Sequence, residues 1–324
     1  MIKLYLSQYT KSRAVCKEYF PVCEGKTVRE MMDLRLRTDL AVEAREMAGE
    51  HVGGTDFCSY RENGLVISRM TVRTERAKRT LGKEIGTYIT VELPSLTDNV
   101  SATDGRLQTI GREIRSLLPV NGLLLVAGLG NEGVTPDSLG PKTAARVLAT
   151  RHITGEIARA TGLERLRPVA VMRTGVTGQT GIETGEYLLS VVKRIRPNAV
   201  IAVDALASRR IERLGCTLQI SDTGIAPGAG VGNHRTRLNK DTLGVPVIAI
   251  GVPTVVDVQT LAGDLLGSEL RSDLIAQLVP KGRRMVVIPD EIDLLTERAA
   301  RLIGFSLNAA MQNDFDLSDL IALM

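Results

Sequence analysis

The chain has 324 residues, 44% hydrophobic and 24% charged, with a formal net charge of +4. That length suits one large α/β domain or two small ones, and the composition is that of a soluble globular protein. Mixed acids and bases at +4 argue against a nucleic-acid partner, 3% aromatics without Trp argue against single-strand stacking platforms, and no apolar run reaches the roughly 18 residues of a membrane span.

Residues 1–39 read as a leader. Short apolar stretches alternate with charges there, no period holds, and the apolar core of a secretory signal is missing. Residues 63–74 alternate well enough for a strand, and a second β segment spans 86–93, stopped by Pro94. From residue 123 apolar β-rich runs recur at 123–128, 169–172, 198–203, 217–220, 245–250 and 284–288. Helices are predicted between them at 141–153, opened by a first-turn proline, at 183–196, with Tyr187, Leu188, Val191, Val192 and Ile195 on one stripe, and at 257–278. Apolar strands without alternation, separated by helices, indicate an α/β fold. Its sheet is expected to be mostly parallel and flanked by helices, with additional β segments near the N-terminus. No linker divides residues 40–324, which are expected to form one domain.

Two of these strands end in a carboxylate. Asp137 follows the run 123–128 and Asp204 follows 198–203. Ligand crevices of open α/β sheets lie at the carboxyl ends of strands, so the two are a candidate catalytic pair. Each also fits as a helix N-cap, and both readings stand at this point. Gly128, Gly130 and Gly133 match a dinucleotide fingerprint, but Thr135, Pro136 and Asp137 follow where its helix should continue. No G-x-S-x-G elbow is present, and His51, His152 and His234 form no H-E-x-x-H motif. His234, in the glycine-rich loop, and Asp222, past the run 217–220, are candidate supporting groups. Cys16, Cys23, Cys58 and Cys216 show no C-x-x-C spacing, so neither a disulfide framework nor a structural metal is expected. No cofactor is expected, and a cytoplasmic location is the default.

Several long motifs occur in one order. They are Arg-Thr-Asp-Leu-Ala-Val-Glu-Ala-Arg-Glu at 37–46, Gly-Thr-Tyr-Ile-Thr-Val-Glu at 86–92, and Gly-Leu-Gly-Asn-x-x-Val-Thr-Pro-Asp-Ser-Leu-Gly-Pro-Lys at 128–142. Thr-Gly-Ile-Glu-Thr-Gly-Glu at 180–186, Asp-Ala-Leu-Ala at 204–207 and Ile-Ser-Asp-Thr-Gly-Ile-x-Pro-Gly-x-Gly-Val-Gly-Asn at 220–233 continue the series. Gly-Val-Pro-Thr-Val-Val-Asp at 251–257 and Ile-Pro-Asp-Glu-Ile-Asp at 288–293 complete it. Together they resemble the germination protease family of spore-forming bacteria.

The resemblance implies an endopeptidase that degrades small acid-soluble spore proteins in the spore core at germination. It implies a self-cleaving zymogen, a homotetramer, and a fold like that of hydrogenase-maturation endopeptidases. The family's two catalytic aspartates fall on Asp137 and Asp204. Family substrates are cut after an acidic residue and before a large apolar one followed by alanine. Thr38-Asp39-Leu40-Ala41 fits that pattern, so self-cleavage is expected between Asp39 and Leu40, leaving 1–39 as the propeptide and 40–324 as the protease domain. Such a site is expected to be exposed and mobile. Thr38 also fits as an N-cap of the helix that follows. The leader is longer than family propeptides, and Met31-Met32-Asp33 would give a start nearer the usual length. Two rival readings are a metal-assisted hydrolase holding its ion on Asp137, Asp204 and His234, and a non-catalytic module that binds spore proteins.

Overall fold

The computed structural model describes residues 38–49, 51–94, 100–228, 236–266 and 285–324. The leader up to residue 37, His234 and the end of the predicted helix 257–278 lie outside the described residues. All described residues fall in one unit, Leu36–Met324.

Among the described residues nine strands make one sheet: β1 (Thr55–Glu62), β2 (Leu65–Val72), β3 (Gly86–Glu92), β4 (Leu124–Leu129), β5 (Val169–Gly175), β6 (Ala199–Ser208), β7 (Thr217–Ser221), β8 (Val247–Asp257) and β9 (Val286–Val287). The spatial order is β1-β2-β3-β7-β8-β6-β4-β5, with β9 paired to β8. β5, β4, β6 and β8 are mutually parallel, the expected core of the fold. The early β segments and β7 extend it as an antiparallel wing.

The described helices are α1 (Ala41–Ala48), α2 (Glu75–Leu81), α3 (Gly105–Arg115), α4 (Leu139–Ala144), α5 (Gly155–Thr161), α6 (Thr177–Thr180), α7 (Thr184–Ile195), α8 (Lys240–Leu243), α9 (Val258–Leu266), α10 (Ile292–Met311) and α11 (Leu317–Ala322). Successive strand side chains point to opposite faces. One face carries Leu124 and Val126 of β4, Ile201 and Val203 of β6, Ile248 and Ile250 of β8, under α3 and α10. The other carries Leu125, Ala127, Val200 and Ala202 against Leu188 and Val192 of α7 and Leu243 of α8. Further along this second face, Met70, Val72 and Tyr88 pack with Ala41 of α1 and Ala77 and Leu81 of α2. No helix among the described residues is long and apolar enough to cross a membrane.

Helix α7 matches its prediction. Glu183 caps it by accepting from the Gly185 and Glu186 N–H groups at 2.5 and 3.2 Å. The predicted helix 141–153 is shorter, because the chain leaves α4 to join β5: Thr150 donates from its N–H to the Val169 carbonyl and from its hydroxyl to that of Arg167. The strand predicted at 63–74 begins at Leu65. Asn63 and Gly64, with φ of 47° and 76°, form the two-residue turn that returns the chain from β1.

Candidate active site

β4 and β6 run side by side until Gly128 faces Val203. β4 ends one residue later, at Leu129, and β6 continues to Ser208, paired only to β8 among the strands. Asp204 is the next residue of β6. It lies inside a strand longer than predicted, buried, with Oδ1 accepting from the Ala205 N–H at 2.9 Å. Asp137 closes a single 3-10 turn, Thr135–Asp137, and its Oδ2 accepts from the Asn131 N–H at 2.7 Å. Neither carboxylate caps a helix: α4 is entered through Ser138, and no helix begins beside Asp204.

Close backbone packing brings the two aspartates to one end of the sheet. A Cβ on Gly140 would collide with the carbonyl oxygens of Leu129 and Val203, and one on Gly128 would collide with the Gly140 carbonyl. Only glycine lets the start of α4 press this closely onto the ends of β4 and β6. From the other side Thr254 of β8 donates its hydroxyl to the Pro136 carbonyl at 2.7 Å. The turn bearing Asp137 is thereby clamped beside Val203, the residue before Asp204. Gly140→Ala should force these backbones apart and cost about 1–3 kcal/mol. Urea unfolding measures it; an unchanged midpoint would remove the clamp.

The third feature is the segment 38–41. Leu40 is fully buried and Asp39 half-buried, with its carboxyl end inward. The exposure expected of this segment from the sequence is therefore corrected: Leu40 is buried and the polar groups around it are satisfied inside the fold. Asp39 donates its N–H to the Ala207 carbonyl (2.9 Å), and its Oδ2 accepts from the Ala207 N–H (2.8 Å). Its carbonyl accepts from Lys83 Nζ (2.8 Å) and Gln219 Nε2 (2.7 Å). Lys83 also donates to the Thr38 carbonyl (3.0 Å), and Gln219 Oε1 accepts from the Ala41 N–H (2.5 Å). Thr38 is not the N-cap of α1, which starts from Leu40; its hydroxyl instead accepts from the Leu40 N–H and donates to Glu43.

Glu43 is fully buried and anchors the segment to the end of β6. It accepts from the main-chain N–H groups of Arg209 (2.8 Å) and Arg210 (3.0 Å) and pairs with Arg213 at 3.5 Å. Glu43→Ala should cost about 1–3 kcal/mol by orphaning these donors, whereas Glu43→Gln, keeping an acceptor oxygen, should cost less. Urea unfolding of both variants tests this; equal loss would show that packing, not acceptance, is what matters. Burial pushes the Asp39 carboxyl above its ordinary value, against the opposing Lys83 charge and Ala207 N–H, with Glu43 adding to the rise. Burial likewise moves Lys83 down, opposed by Asp39 and Glu43 and reinforced by Arg237.

Asp222 is placed elsewhere. Its Oδ1 accepts from the Thr87 N–H at 2.7 Å, fastening the start of β3. It follows Ser221, which shares a row with Ala249 and Ala202, so it points toward the amino ends of β6 and β8. His234 lies outside the described residues, among which no cluster of three or more His, Cys, Asp or Glu has metal-holding geometry. Lys83, Gln219 and Glu43 were not singled out from the sequence. Only Gln219 left a trace there, as the middle polar residue of Thr217-Leu218-Gln219-Ile220-Ser221.

The family model described as germination protease matches residues 36–270. A germination protease of Caldanaerobacter subterraneus subsp. tengcongensis is 41% identical over 308 residues, covering 86% of this chain and 95% of the relative. One of Clostridium tetani is 37% identical (89% of this chain, 98% of the relative), and one of Bacillus licheniformis 42% (81% and 78%). Among solved structures, a [NiFe] hydrogenase maturation protease HycI from Thermococcus kodakarensis KOD1 aligns at 18% identity and a TM-score of 0.34, covering 60% of this chain and 98% of that one.

Proposed function

The chain belongs to the germination protease family, and on that premise we propose that it is an endopeptidase made as a self-cleaving zymogen, with Asp137 and Asp204 as its catalytic pair. The observation that carries the reading is the clamp where β4 ends beside β6, which holds the turn bearing Asp137 next to Val203, the residue before Asp204 in the adjacent parallel strand. Peptide hydrolysis by two carboxylates needs one to take a proton from water and the other, protonated, to polarise the carbonyl. Like charges that share a site separate their titrations, and the proposed mechanism uses that effect to keep one proton between the two carboxylates. The pair titrates as a unit, and neither role is assigned to one residue.

In this reading the leader 1–39 is the propeptide and the cut falls between Asp39 and Leu40. The substrates are small acid-soluble spore proteins, met in the spore core, and the assembly is a homotetramer. Support for subunit pairing comes from β1, an edge strand whose middle residues are exposed on both faces. The test is intact mass and N-terminal sequencing of the full chain after mildly acidic incubation. A new N-terminus at Leu40 supports the zymogen; no cut under any acidic condition refutes it.

A further inference from the structure

We propose that Gln179, in the loop after β5, is a positioning residue for Asp137: its amide holds the Asn131 side chain, and the Asn131 main chain holds the Asp137 carboxylate. The chain of contacts stands on geometry; its weight in catalysis rests on the peptidase reading. Asp137 sits on a single 3-10 turn, and that turn is wired back to one residue. The Asn131 N–H is donated to Asp137 Oδ2 at 2.7 Å. The Asn131 carbonyl accepts from the Val134 N–H at 3.1 Å, and the Val134 carbonyl accepts from the Asp137 N–H at 2.8 Å. Side chain and main chain of Asp137 are thus both referred to Asn131. Gly130, at a φ of 107°, lets the chain fold back this closely: a Cβ there would collide with the Asp137 carbonyl oxygen and crowd Oδ1 at 3.0 Å.

Asn131 is placed in turn through its own side chain. Its Oδ1 accepts from the Gly133 N–H at 2.9 Å, within the loop, and from Gln179 Nε2 at 2.6 Å, across to the neighbouring loop. Gln179 lies in α6, just past the end of β5, and its N–H closes that turn on the Val176 carbonyl at 2.8 Å. A second link runs the same way, from Arg173 of β5 to Glu132 at 3.2 Å, but both partners are exposed and such a pair contributes little in water. The loop after β5 therefore reaches Asp137 through two hydrogen bonds in series, Gln179 to the Asn131 side chain and the Asn131 N–H to Oδ2.

What the relay fixes is direction. The torsion that turns an aspartate carboxylate is broad and roughly two-fold, so the group swings unless one oxygen is committed. With Oδ2 on the Asn131 N–H the plane of the carboxylate is set, and with it the side from which Oδ1 is presented. A group that moves a proton must lie within hydrogen-bond reach of it, and a misplacement of about 1 Å can cost on the order of 10²-fold in rate. Gln179 is itself exposed, and a hydrogen bond at the surface contributes little to folding. Its loss should therefore appear in the rate and not in the unfolding curve.

The test is self-cleavage of the full chain, read by intact mass, in a series of Gln179 variants. Gln179→Met keeps the length of the side chain but offers Asn131 no donor, and should slow cleavage about tenfold. Gln179→Lys keeps a donor and should bring the rate back to within about threefold of wild type, with the urea midpoint unchanged in both. In an Asn131→Ala background Gln179→Met should alter the rate less than about twofold, because the two residues act in series. Failure of lysine to rescue, or a full penalty in the Asn131→Ala chain, would overturn the relay. A second measurement does not depend on cleavage: amide exchange at Asn131 and Ala205 in Asp204→Asn chains. Adding Gln179→Met should speed exchange at Asn131 about fivefold or more and leave Ala205 as it was; unchanged exchange at Asn131 would overturn the proposal. If no chain cuts itself, wild type included, the peptidase reading fails, and exchange at Asn131 alone decides whether Gln179 holds the Asp137 loop.

Discussion

Asp137→Asn and Asp204→Asn are each expected to slow self-cleavage between Asp39 and Leu40 by roughly 10²–10⁴-fold, the usual weight of general acid–base groups. Both replacements preserve shape. The amide oxygen can still accept from the Asn131 N–H at one site and from the Ala205 N–H at the other, so the clamp built by Gly128, Gly140 and Thr254 should hold and the variants should fold. What each loses is the ability to carry the shared proton. The double variant should therefore be little slower than either single one, because residues that act as a unit do not add. Mass spectra after a timed mildly acidic incubation read all three. A single variant processed at the wild-type rate removes that residue from the mechanism. Loss of wild-type cleavage on exhaustive chelation, restored by one metal, would favour the metal-assisted reading. A leader-free chain that leaves its candidate spore protein intact would favour the binding module.

Self-cleavage relative to that of Asp39→Asn should rise as the pH falls toward 4, by up to about tenfold per pH unit, the limit for one proton. The Asp39 carboxyl sits higher in the docked segment than in a free chain, because burial outweighs the Lys83 charge and the Ala207 N–H. A carboxyl raised on docking binds its proton preferentially in the docked state. Its contribution is fully present below the free-chain value near 4 and is lost as the pH climbs through the docked value. Taking the ratio of the two rates at each pH cancels the titration of Asp137 and Asp204, common to both chains. Any slope left in Asp39→Asn itself, once the catalytic pair is allowed for, belongs to Lys83, which burial shifts the other way. A ratio flat from pH 7 to 4 would refute the linkage.

The parallel half of the sheet was readable because strands covered on both faces are continuous apolar runs, as at 123–128 and 198–203. The same logic hid the end of β6, whose polar Asp204 looks like a boundary but lies within the strand because β8 keeps pairing to Ser208. β1 escaped because Thr55–Glu62 is nearly all exposed and carries no alternation. Its signal was the Asn63-Gly64 pair, whose left-handed backbone makes the hairpin. Helix α10 escaped for the opposite reason: from Leu302 to Met311 it is buried all round, which erases the stripe. At the candidate site Asp137 was legible as a carboxylate past the end of a strand, and Asp204 as the polar residue that follows an apolar run. Gly140 and Lys83 were not, because their roles are set by what the fold brings against them from elsewhere in the chain.

In the self-cleaving reading, the lodging of Asp39 and Leu40 inside the fold gives the cut a direction. While the bond is whole, a neutral peptide lies between Asp39, Lys83 and Gln219. Once it is broken, the leader would end in a second carboxylate beside the Asp39 side chain, where Glu43 is already paired with Arg213, and the domain would begin with an ammonium on a residue that was fully buried. New charges in such a place are costly unless each finds a partner. In that reading the severed ends lose the neutral setting in which the whole bond lies, and hydrolysis favours departure of the leader. In that reading the docked segment 38–41 works as a ratchet.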